Sequence, residues 1–250
     1  MRPRVRNEDG DPPERKLEEL VDRSRREPRV TVAADYSGPS GEQYASWQLR
    51  SADGMATEVA RRFLPWTSPN MTVVDFGCGG GALLAALPAA RKIGIEPNAI
   101  AAALAVSRGI YVVPMSDDIE DSSVDLAISN HALEHVLHPV AELQQLRRIL
   151  KVGAHLVIIV PVDDWRAQKS GRVDDPSHHL YTWTPLLLGN LLSAAGFAIE
   201  RVELIHRAWP PAHQFLWRNL PPSAFDLLAA VAARVQRRRQ IRAVARRDTS

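Results

Sequence analysis

Cysteine is almost absent from this chain, and so is any excess of charge of one sign. The single cysteine among 250 residues, Cys78, excludes an internal disulfide and suits a reducing compartment. The formal net charge of +2 is close to balance, so bulk charge indicates no particular partner. The apolar run VGAHLVIIVP is far too short to cross a bilayer, and the N-terminus lacks the apolar stretch of a secretory signal. We therefore expect a cytoplasmic protein with no integral membrane segment.

The length of the chain allows one α/β domain with additions, but not two ordinary domains. Residues 1–34 are dominated by Arg, Glu, Asp and Pro, which predicts a mobile N-terminal tail. Residues 35–250 are predicted to form a single domain. Within it, residues 35–66 are predicted to form N-terminal cap helices, and residues 162–183 and 206–238 are predicted to be lid or insertion segments.

Short apolar runs alternate with helical patterns through the middle of the chain. This alternation predicts a parallel sheet with right-handed crossovers and helices on both faces. The end, QIRAVARR, could either extend the helix before it or form a last strand. The predicted strands are residues 71–76, 92–95, 110–113, 124–129, 154–160 and 197–205, and the predicted helices are residues 80–87, 98–107, 140–150, 184–195 and 223–237.

The string VVDFGCGGG, residues 73–81, combines a strand, a glycine-rich turn and the start of a helix. Glycines let the backbone turn tightly and approach a ligand that side chains would block. Nicotinamide and flavin enzymes use similar glycine strings, so this turn alone does not choose between cofactors. Asp75 argues against a dinucleotide cofactor, because a carboxylate at this position would repel the pyrophosphate. It suits a cationic ligand instead, such as the ammonium group of a methionine moiety.

Glu96 ends the next predicted strand, in Gly94-Ile95-Glu96. Adjacent parallel strands end at the same edge of a sheet, where an acid can bind both hydroxyls of a ribose. A solvated charge or a helix cap is the alternative, but the matched position beside Asp75 favours the ribose contact.

Histidines supply the candidates for acceptor chemistry. His131, Glu134 and His135 have i, i+3 and i+4 spacing, so they share a face of a helical turn. Such a cluster could hold a divalent metal, act in acid–base or substrate contact, or satisfy itself as a structural cluster. We expect no metal there. In the loop after the fifth strand, one of His178 and His179 could be a base or a substrate contact, and a surface or capping pair of histidines is the alternative.

Four segments together resemble class I S-adenosylmethionine-dependent methyltransferases. They are VVDFGCGGG, GIEPN, SVDLAISNHALEHV and LRRILKVGAHLVIIVP. The resemblance implies a Rossmann-like, seven-stranded, mostly parallel sheet with helices on both faces and an antiparallel last strand, which makes QIRAVARR a strand. Residues 178–197 are also similar to methyltransferases of bacterial surface-polysaccharide biosynthesis.

The resemblance also implies S-adenosylmethionine as the cofactor and assigns residues to it. The glycine turn would pack against the methionine part, Glu96 would hold the ribose, and Pro97 or Asn98 would line the adenine. Asn130 would lie near the methyl-bearing sulfur, and Asp117 would contact the adenine amine. The full predicted cofactor set is Tyr36, Tyr44, Asp75, Gly77, Cys78, Gly79, Gly81, Glu96, Pro97, Asn98, Asp117 and Asn130, and the predicted catalytic set is His131, His135, His178 and His179.

The predicted activity is methyl transfer to a small-molecule acceptor, at a hydroxyl of a sugar or a similar metabolite. A cofactor-binding protein without turnover and an RNA or protein methyltransferase are the alternatives, and a nicotinamide oxidoreductase is disfavoured by Asp75. The active-site loop reads Ser129-Asn130-His131-Ala132 where base amino-group methyltransferases carry an Asn/Asp-Pro-Pro-Tyr/Phe motif. We therefore expect a small-molecule partner and no nucleic acid, with a homodimer allowed but not required.

Overall fold

The computed structural model of the protein describes residues 53–162 and 178–249. These residues belong to a unit that spans Thr31–Ser250. Three predicted features lie wholly or mostly outside the described residues: the tail 1–34, the N-terminal cap segment 35–66 and the lid segment 162–183. Within the described ranges, no helix is long and apolar enough to cross a membrane.

A seven-stranded sheet organises the described part of the chain. Its strands are β1 (Thr72–Phe76), β2 (Arg91–Ile95), β3 (Tyr111–Val113), β4 (Val124–Asn130), β5 (Leu150–Val162), β6 (Phe197–Ile205) and β7 (Arg239–Arg247). They are ordered β3-β2-β1-β4-β5-β7-β6, and the strands from β3 to β5 pair in parallel. The strand order reverses between β1 and β4, so the edge beyond their carboxyl ends is where a ligand is expected in a sheet of this kind.

The helices that connect these strands begin with local signals that the sequence carries. Asn98 caps the helix after β2, because its side-chain oxygen accepts from the backbone N–H of Ile100 and of Ala101, both at 3.1 Å. Thr184 caps a later helix in the same way, with Pro185 at its first position. The described helices are α1 (Ala56–Ala60), α2 (Ala82–Ala86), α3 (Ala99–Ser107), α4 (Pro139–Ile149), α5 (Pro185–Ala194), α6 (His213–Asn219) and α7 (Pro222–Val235).

Both faces of the sheet are buried. Val73 and Val74 follow each other in β1 and are fully buried, but they belong to different hydrophobic clusters. The cluster with Val74 includes Leu143 of α4 and Leu188 of α5, and the cluster with Val73 includes residues of α1, α2 and α3. Neighbouring side chains of a strand point to opposite faces, so this division confirms a sheet covered by helices on both sides.

The C-terminal QIRAVARR segment forms a strand and does not extend the helix before it. α7 ends at Val235, and β7 then runs antiparallel between β5 and β6. Val244 of β7 pairs with Val157 of β5, and Ala243 pairs with Val202 of β6. The predicted mostly parallel sheet with an antiparallel last strand is therefore confirmed. The segment 206–238, predicted to be a lid or insertion, contains α6 and α7.

Candidate active site

The loop after β1 turns through glycines with left-handed backbone: Gly77 (φ 75°), Gly79 (φ 53°) and Gly81 (φ 75°). The Gly77 N–H donates to the carbonyl oxygen of Ile95 at 2.9 Å, which ties the loop to the end of β2. A Cβ at Gly77 would overlap the Cβ of Ala132, in the loop after β4. Glycine therefore meets both a backbone and a space requirement at this position.

Glu96 lies between the glycine loop and the start of α3. Its Oε2 accepts from the Gly79 N–H at 2.9 Å, and its Oε1 accepts from the Asn98 N–H at 2.8 Å. Burial raises the pKa of Glu96, and the two backbone N–H groups partly oppose that shift. The carboxylate is thus oriented from both sides at the carboxyl end of β2, where the sequence predicted a ribose contact.

Asp75 is buried at the end of β1, with 2% of its surface exposed. Its Oδ1 has no hydrogen-bond partner among the described residues. Burial raises the pKa of Asp75 well above its usual value, and the negative charge of Glu96 raises it further. An ionised Asp75 therefore requires a cation close to it. Burial also raises the pKa of the Cys78 thiol, which makes Cys78 a small buried residue and not a nucleophile.

A cleft opens beside the ends of β1 and β2. Most of its wall is apolar, and the carboxyl group of Glu142 is its charged group. The predicted adenine contact Pro97 belongs to this wall, whereas Asn98 caps α3. The lining residues are Phe76, Gly77, Ile95, Pro97, Pro114, Met115, Ala132, Val136 and Glu142.

Glu142 is a cleft residue that the sequence analysis did not select. It lies in the first turn of α4, is 2% exposed, and its Oε2 accepts from the Ser116 hydroxyl at 3.3 Å. The signal in the sequence is its spacing, because Glu142 falls on the same helical stripe as Leu146 and Ile149, both fully buried. A carboxylate on the buried stripe of an amphipathic helix indicates a function or a buried partner.

Asp117, the predicted adenine contact, is not among the residues that line the cleft. It is exposed in the short 3₁₀ turn Ser116–Asp118, while its neighbour Ser116 is buried against Glu142. The structure therefore brings Glu142 to the cleft, with the Ser116 hydroxyl bonded to it, and leaves the Asp117 side chain exposed.

Strand β4 ends at Asn130, which is half-buried. Its Oδ1 has no hydrogen-bond partner within the described ranges. Ser129, just before it, donates from its hydroxyl to the Phe76 carbonyl oxygen at 3.0 Å, which fixes the end of β4 beside the end of β1. His131 follows with a left-handed backbone (φ 57°), and its N–H donates to the Ile159 carbonyl oxygen at 2.8 Å.

The predicted histidine cluster converges on Glu134. This glutamate is fully buried in the 3₁₀ turn Leu133–His135. Its Oε1 lies 3.6 Å from His131 Nδ1 and 3.9 Å from His135 Nε2. The two histidines do not share one helical turn, since His131 precedes the turn, but both approach the same carboxylate.

The segment with His178 and His179 packs onto this turn. The His179 and His135 rings meet edge to face, with centroids 5.0 Å apart. The His178 carbonyl oxygen lies 3.5 Å from His135 Nδ1. The structure thus brings the predicted acceptor histidines of two distant segments together. The remaining predicted site residues, Tyr36 and Tyr44, lie outside the described residues.

Residues 47–202 match the sequence model of a family described as a methyltransferase domain. The match spans more than half of the chain. The chain belongs to this methyltransferase domain family. The predicted membership of a methyltransferase family is therefore confirmed, while the activity of the protein and the assignment of individual residues stay predictions.

A curated relative is an uncharacterized 37.1 kDa protein in transposon TN4556 of Streptomyces fradiae. It is 32% identical over 114 residues, which cover 39% of this chain. The same alignment covers 31% of that protein, so the chain spans about a third of the length of this relative.

Solved methyltransferase structures share the fold. One is a protein of Thermotoga maritima described as a SAM-dependent methyltransferase and possible histamine N-methyltransferase. It is 21% identical, with 83% of this chain and 96% of that chain covered and a TM-score of 0.57. Another is geranyl diphosphate C-methyltransferase from Streptomyces coelicolor, in complex with Mg²⁺, geranyl diphosphate and S-adenosyl-L-homocysteine. It is 16% identical, with 88% and 89% covered and a TM-score of 0.55. At these identities the likeness establishes the Rossmann-like fold and no more.

Proposed function

We propose that the protein transfers a methyl group from S-adenosylmethionine to a small-molecule acceptor, at a hydroxyl of a sugar or a similar metabolite. The arrangement that carries the proposal is the pair of carboxyl groups at the ends of two adjacent strands. Asp75 lies buried at the end of β1, and Glu96 follows β2, held by the N–H groups of Gly79 and Asn98.

The residues present fit S-adenosylmethionine. The Oδ1 of Asp75 is a buried acceptor that no described residue satisfies, and the ammonium group of the cofactor would supply both a proton donor and the missing positive charge. Glu96 has the position and orientation to accept from ribose hydroxyls. The glycine loop leaves room for a ligand beside the backbone. The apolar cleft with Pro97 and Glu142 suits an adenine ring with its amine.

When bound, this cofactor supplies an activated methyl group, so the protein must mainly align donor and acceptor. For a hydroxyl acceptor, a base must also accept the acceptor proton, and histidine suits that task near neutral pH. His131, His135, His178 and His179 are the proposed candidates. The ring nitrogens of His131 and His135 and a ring nitrogen of His179 lie near the Glu134 carboxylate, between Ala132 and Val136 of the cleft wall in the chain, and the His178 carbonyl oxygen lies beside His135.

Three observations support a small acceptor. The loop after β4 lacks the motif of base amino-group methyltransferases. The two solved methyltransferases described above carry names that refer to small molecules. The sequence of residues 178–197 also suggested a likeness to methyltransferases of surface-polysaccharide biosynthesis, and this expectation makes a sugar hydroxyl the first acceptor to try.

The first prediction tests the cofactor. Glu96→Ala should weaken binding of S-adenosylhomocysteine at least tenfold, about 1.4 kcal/mol, because the ribose loses its carboxylate partner. Titration calorimetry on the wild type and the variant measures this change. Glu120→Ala, which removes an exposed carboxylate that does not line the cleft, is the matched control and should bind as the wild type does.

Two outcomes would count against the proposal. A folded wild type that does not bind S-adenosylhomocysteine would contradict it and redirect the search to nicotinamide cofactors. Tight binding without methylation of any sugar or phenol acceptor would support the cofactor-binding alternative without turnover.

A further inference from the structure

The loop after β4 and the segment before α5 place two imidazoles and one carboxylate together. Glu134 and His135 come from the turn Leu133–His135, and His179 comes from the segment that leads into α5. The backbone holds these segments together, because the N–H groups of Leu180 and Tyr181 donate to the Glu134 carbonyl oxygen at 2.9 and 3.3 Å. Backbone hydrogen bonds therefore hold the three side chains of the cluster on two connected segments.

The sequence predicts no metal at His131, Glu134 and His135. His179, however, adds to Glu134 and His135 a third candidate ligand that sequence spacing could not reveal. We propose that Glu134, His135 and His179 form a binding site for one divalent first-row transition-metal ion, such as Zn²⁺ or Co²⁺. One ligand atom from each residue lies within 4.8 Å of the others. Around a tetrahedral zinc ion with bonds of about 2.1 Å, ligand atoms are roughly 3.4 Å apart. His135 Nε2 and Glu134 Oε1 are 3.9 Å apart, so small side-chain rotations bring the set to coordinating distance.

The donor set selects the class of ion. Two imidazole nitrogens and one carboxylate oxygen suit zinc, cobalt and iron, whereas Mg²⁺ and Ca²⁺ prefer oxygen ligands alone. Glu134 is fully buried, and buried carboxylates are normally paired with a cation or bound to a metal.

A second contact orients one ligand. His135 Nδ1 lies 3.5 Å from the His178 carbonyl oxygen, while its Nε2 faces Glu134. A histidine that donates one ring N–H to a carbonyl presents its other nitrogen to a metal, which is the usual arrangement in metal sites. His178 therefore contributes its backbone carbonyl to the orientation of His135.

The cluster lies beside the cleft, so a bound ion could contact the acceptor. Ala132 and Val136, on either side of Glu134 and His135 in the chain, both line the cleft. Three protein ligands leave a coordination position for water or for an acceptor oxygen. This second role rests on the proposed function; metal binding itself does not.

Metal binding is tested on the full chain after treatment with a chelator and its removal. Titration with Co²⁺, followed by visible absorption, and with Zn²⁺, followed by calorimetry, should show one saturable site per chain. Glu134→Gln and His179→Gln should each weaken binding of both ions at least tenfold. His138→Ala removes an exposed histidine next to the cluster in sequence and should change neither titration.

The same variants are also titrated with S-adenosylhomocysteine. Retained binding of that ligand shows that the fold and the cofactor site survive, so a loss of metal binding is then specific. Failure of the wild type to bind S-adenosylhomocysteine while it binds Co²⁺ would overturn the proposed function and leave the metal site standing. No saturable metal binding, or equal binding by the wild type and both Gln variants, would overturn the metal site.

Discussion

Gly77 meets two separate requirements, and the chain offers a position that has only one of them. Gly77 and Gly109 both have left-handed backbone, with φ of 75° and 79°. A Cβ at Gly77 would overlap Ala132, whereas a Cβ at Gly109 would meet no atom within 4 Å. The pair therefore separates backbone strain from steric overlap.

Gly109→Ala should cost about 1 kcal/mol of unfolding free energy, from the left-handed backbone alone. Gly77→Ala should cost about 1 to 3 kcal/mol more, because the new methyl group also pushes the loop after β4 away. It should weaken binding of S-adenosylhomocysteine as well. Urea denaturation and calorimetry measure both effects, and equal stability losses in the two variants would contradict the packing argument.

The pKa shift of Asp75 predicts proton release on cofactor binding. Burial, with the nearby charge of Glu96, favours the protonated carboxyl in the ligand-free protein, and the cofactor ammonium would favour the ionised form. Affinity for S-adenosylhomocysteine should therefore rise with pH above the usual range of a carboxyl pKa, because Asp75 must lose its proton to pair with the ammonium group. Calorimetry in buffers of different ionisation enthalpy measures the proton directly.

Asp75→Asn is the isosteric control for this prediction. It should bind more weakly and lose the dependence on pH that Asp75 causes, whereas an unchanged slope would assign the proton to another group. The raised pKa of Asp75 also determines how its contribution to folding stability changes with pH. Because the folded-state pKa is raised, the contribution of Asp75 is present below the unfolded pKa of about 4 and is lost as pH rises toward the folded-state value.

At this scale the sequence gives the position of residues at strand ends more readily than the position of residues in turns and on helix faces, and their roles stay predictions. Asp75 and Glu96 could be placed because parallel strands end at one edge, whatever the helices do. Asp117 and Glu142 depend on how the turn after β3 meets α4, which involves contacts between segments that no local pattern contains. The spacing of Glu142 on a buried stripe was the available signal.

At the scale of elements, a network of ion pairs joins α1 to α7 and to the segment after β6. Glu58 of α1 is fully buried and pairs with Arg62 at 3.0 Å and with Arg207. Arg207 also pairs with Asp226 of α7 at 2.9 Å. Asp226 is more than a third exposed, so the two acids of the network have unequal surroundings. The region predicted as an insertion is thus anchored to the helix before β1.

Glu58→Gln should destabilise the protein by about 3 kcal/mol, because it leaves two largely buried guanidinium groups without their shared carboxylate. Asp226→Asn should cost about 1 kcal/mol or less, since an exposed pair is well solvated. Urea denaturation of both variants at neutral pH measures the difference. A smaller loss for Glu58→Gln than for Asp226→Asn would show that burial does not set the strength of this network.

The local sequence pattern does not decide whether the segment QIRAVARR forms a helix or a strand. QIRAVARR follows an amphipathic helix and has apolar residues that fit either a helix or a strand. Its outcome is decided by hydrogen bonds to β5 on one side and β6 on the other, which are partners far away in sequence. The resemblance to known methyltransferases supplied this information; the local pattern did not.

At the scale of the whole molecule, β7 is the strand that makes the sheet continuous. β6 pairs with β7, and β7 pairs with β5, so β6 reaches the parallel strands only through β7. Ile241, Ala243 and Ala245 of β7 are buried in the same hydrophobic cluster as Val74 of β1. The last strand therefore completes the core beneath the site, although it contributes no residue to the cleft wall described above.

A chain shortened to residues 1–238 should consequently fail to unfold cooperatively, because β5 loses its neighbour and β6 loses its attachment to the sheet. A chain shortened to residues 1–247 keeps all of β7 and should melt as the full chain does. Thermal melts followed by circular dichroism compare the two, and S-adenosylhomocysteine should raise the melting temperature of the longer chain alone. Cooperative, ligand-stabilised melting of residues 1–238 would mean that the five parallel strands hold the cofactor site without β7, and that the antiparallel part of the sheet is an accessory to the fold.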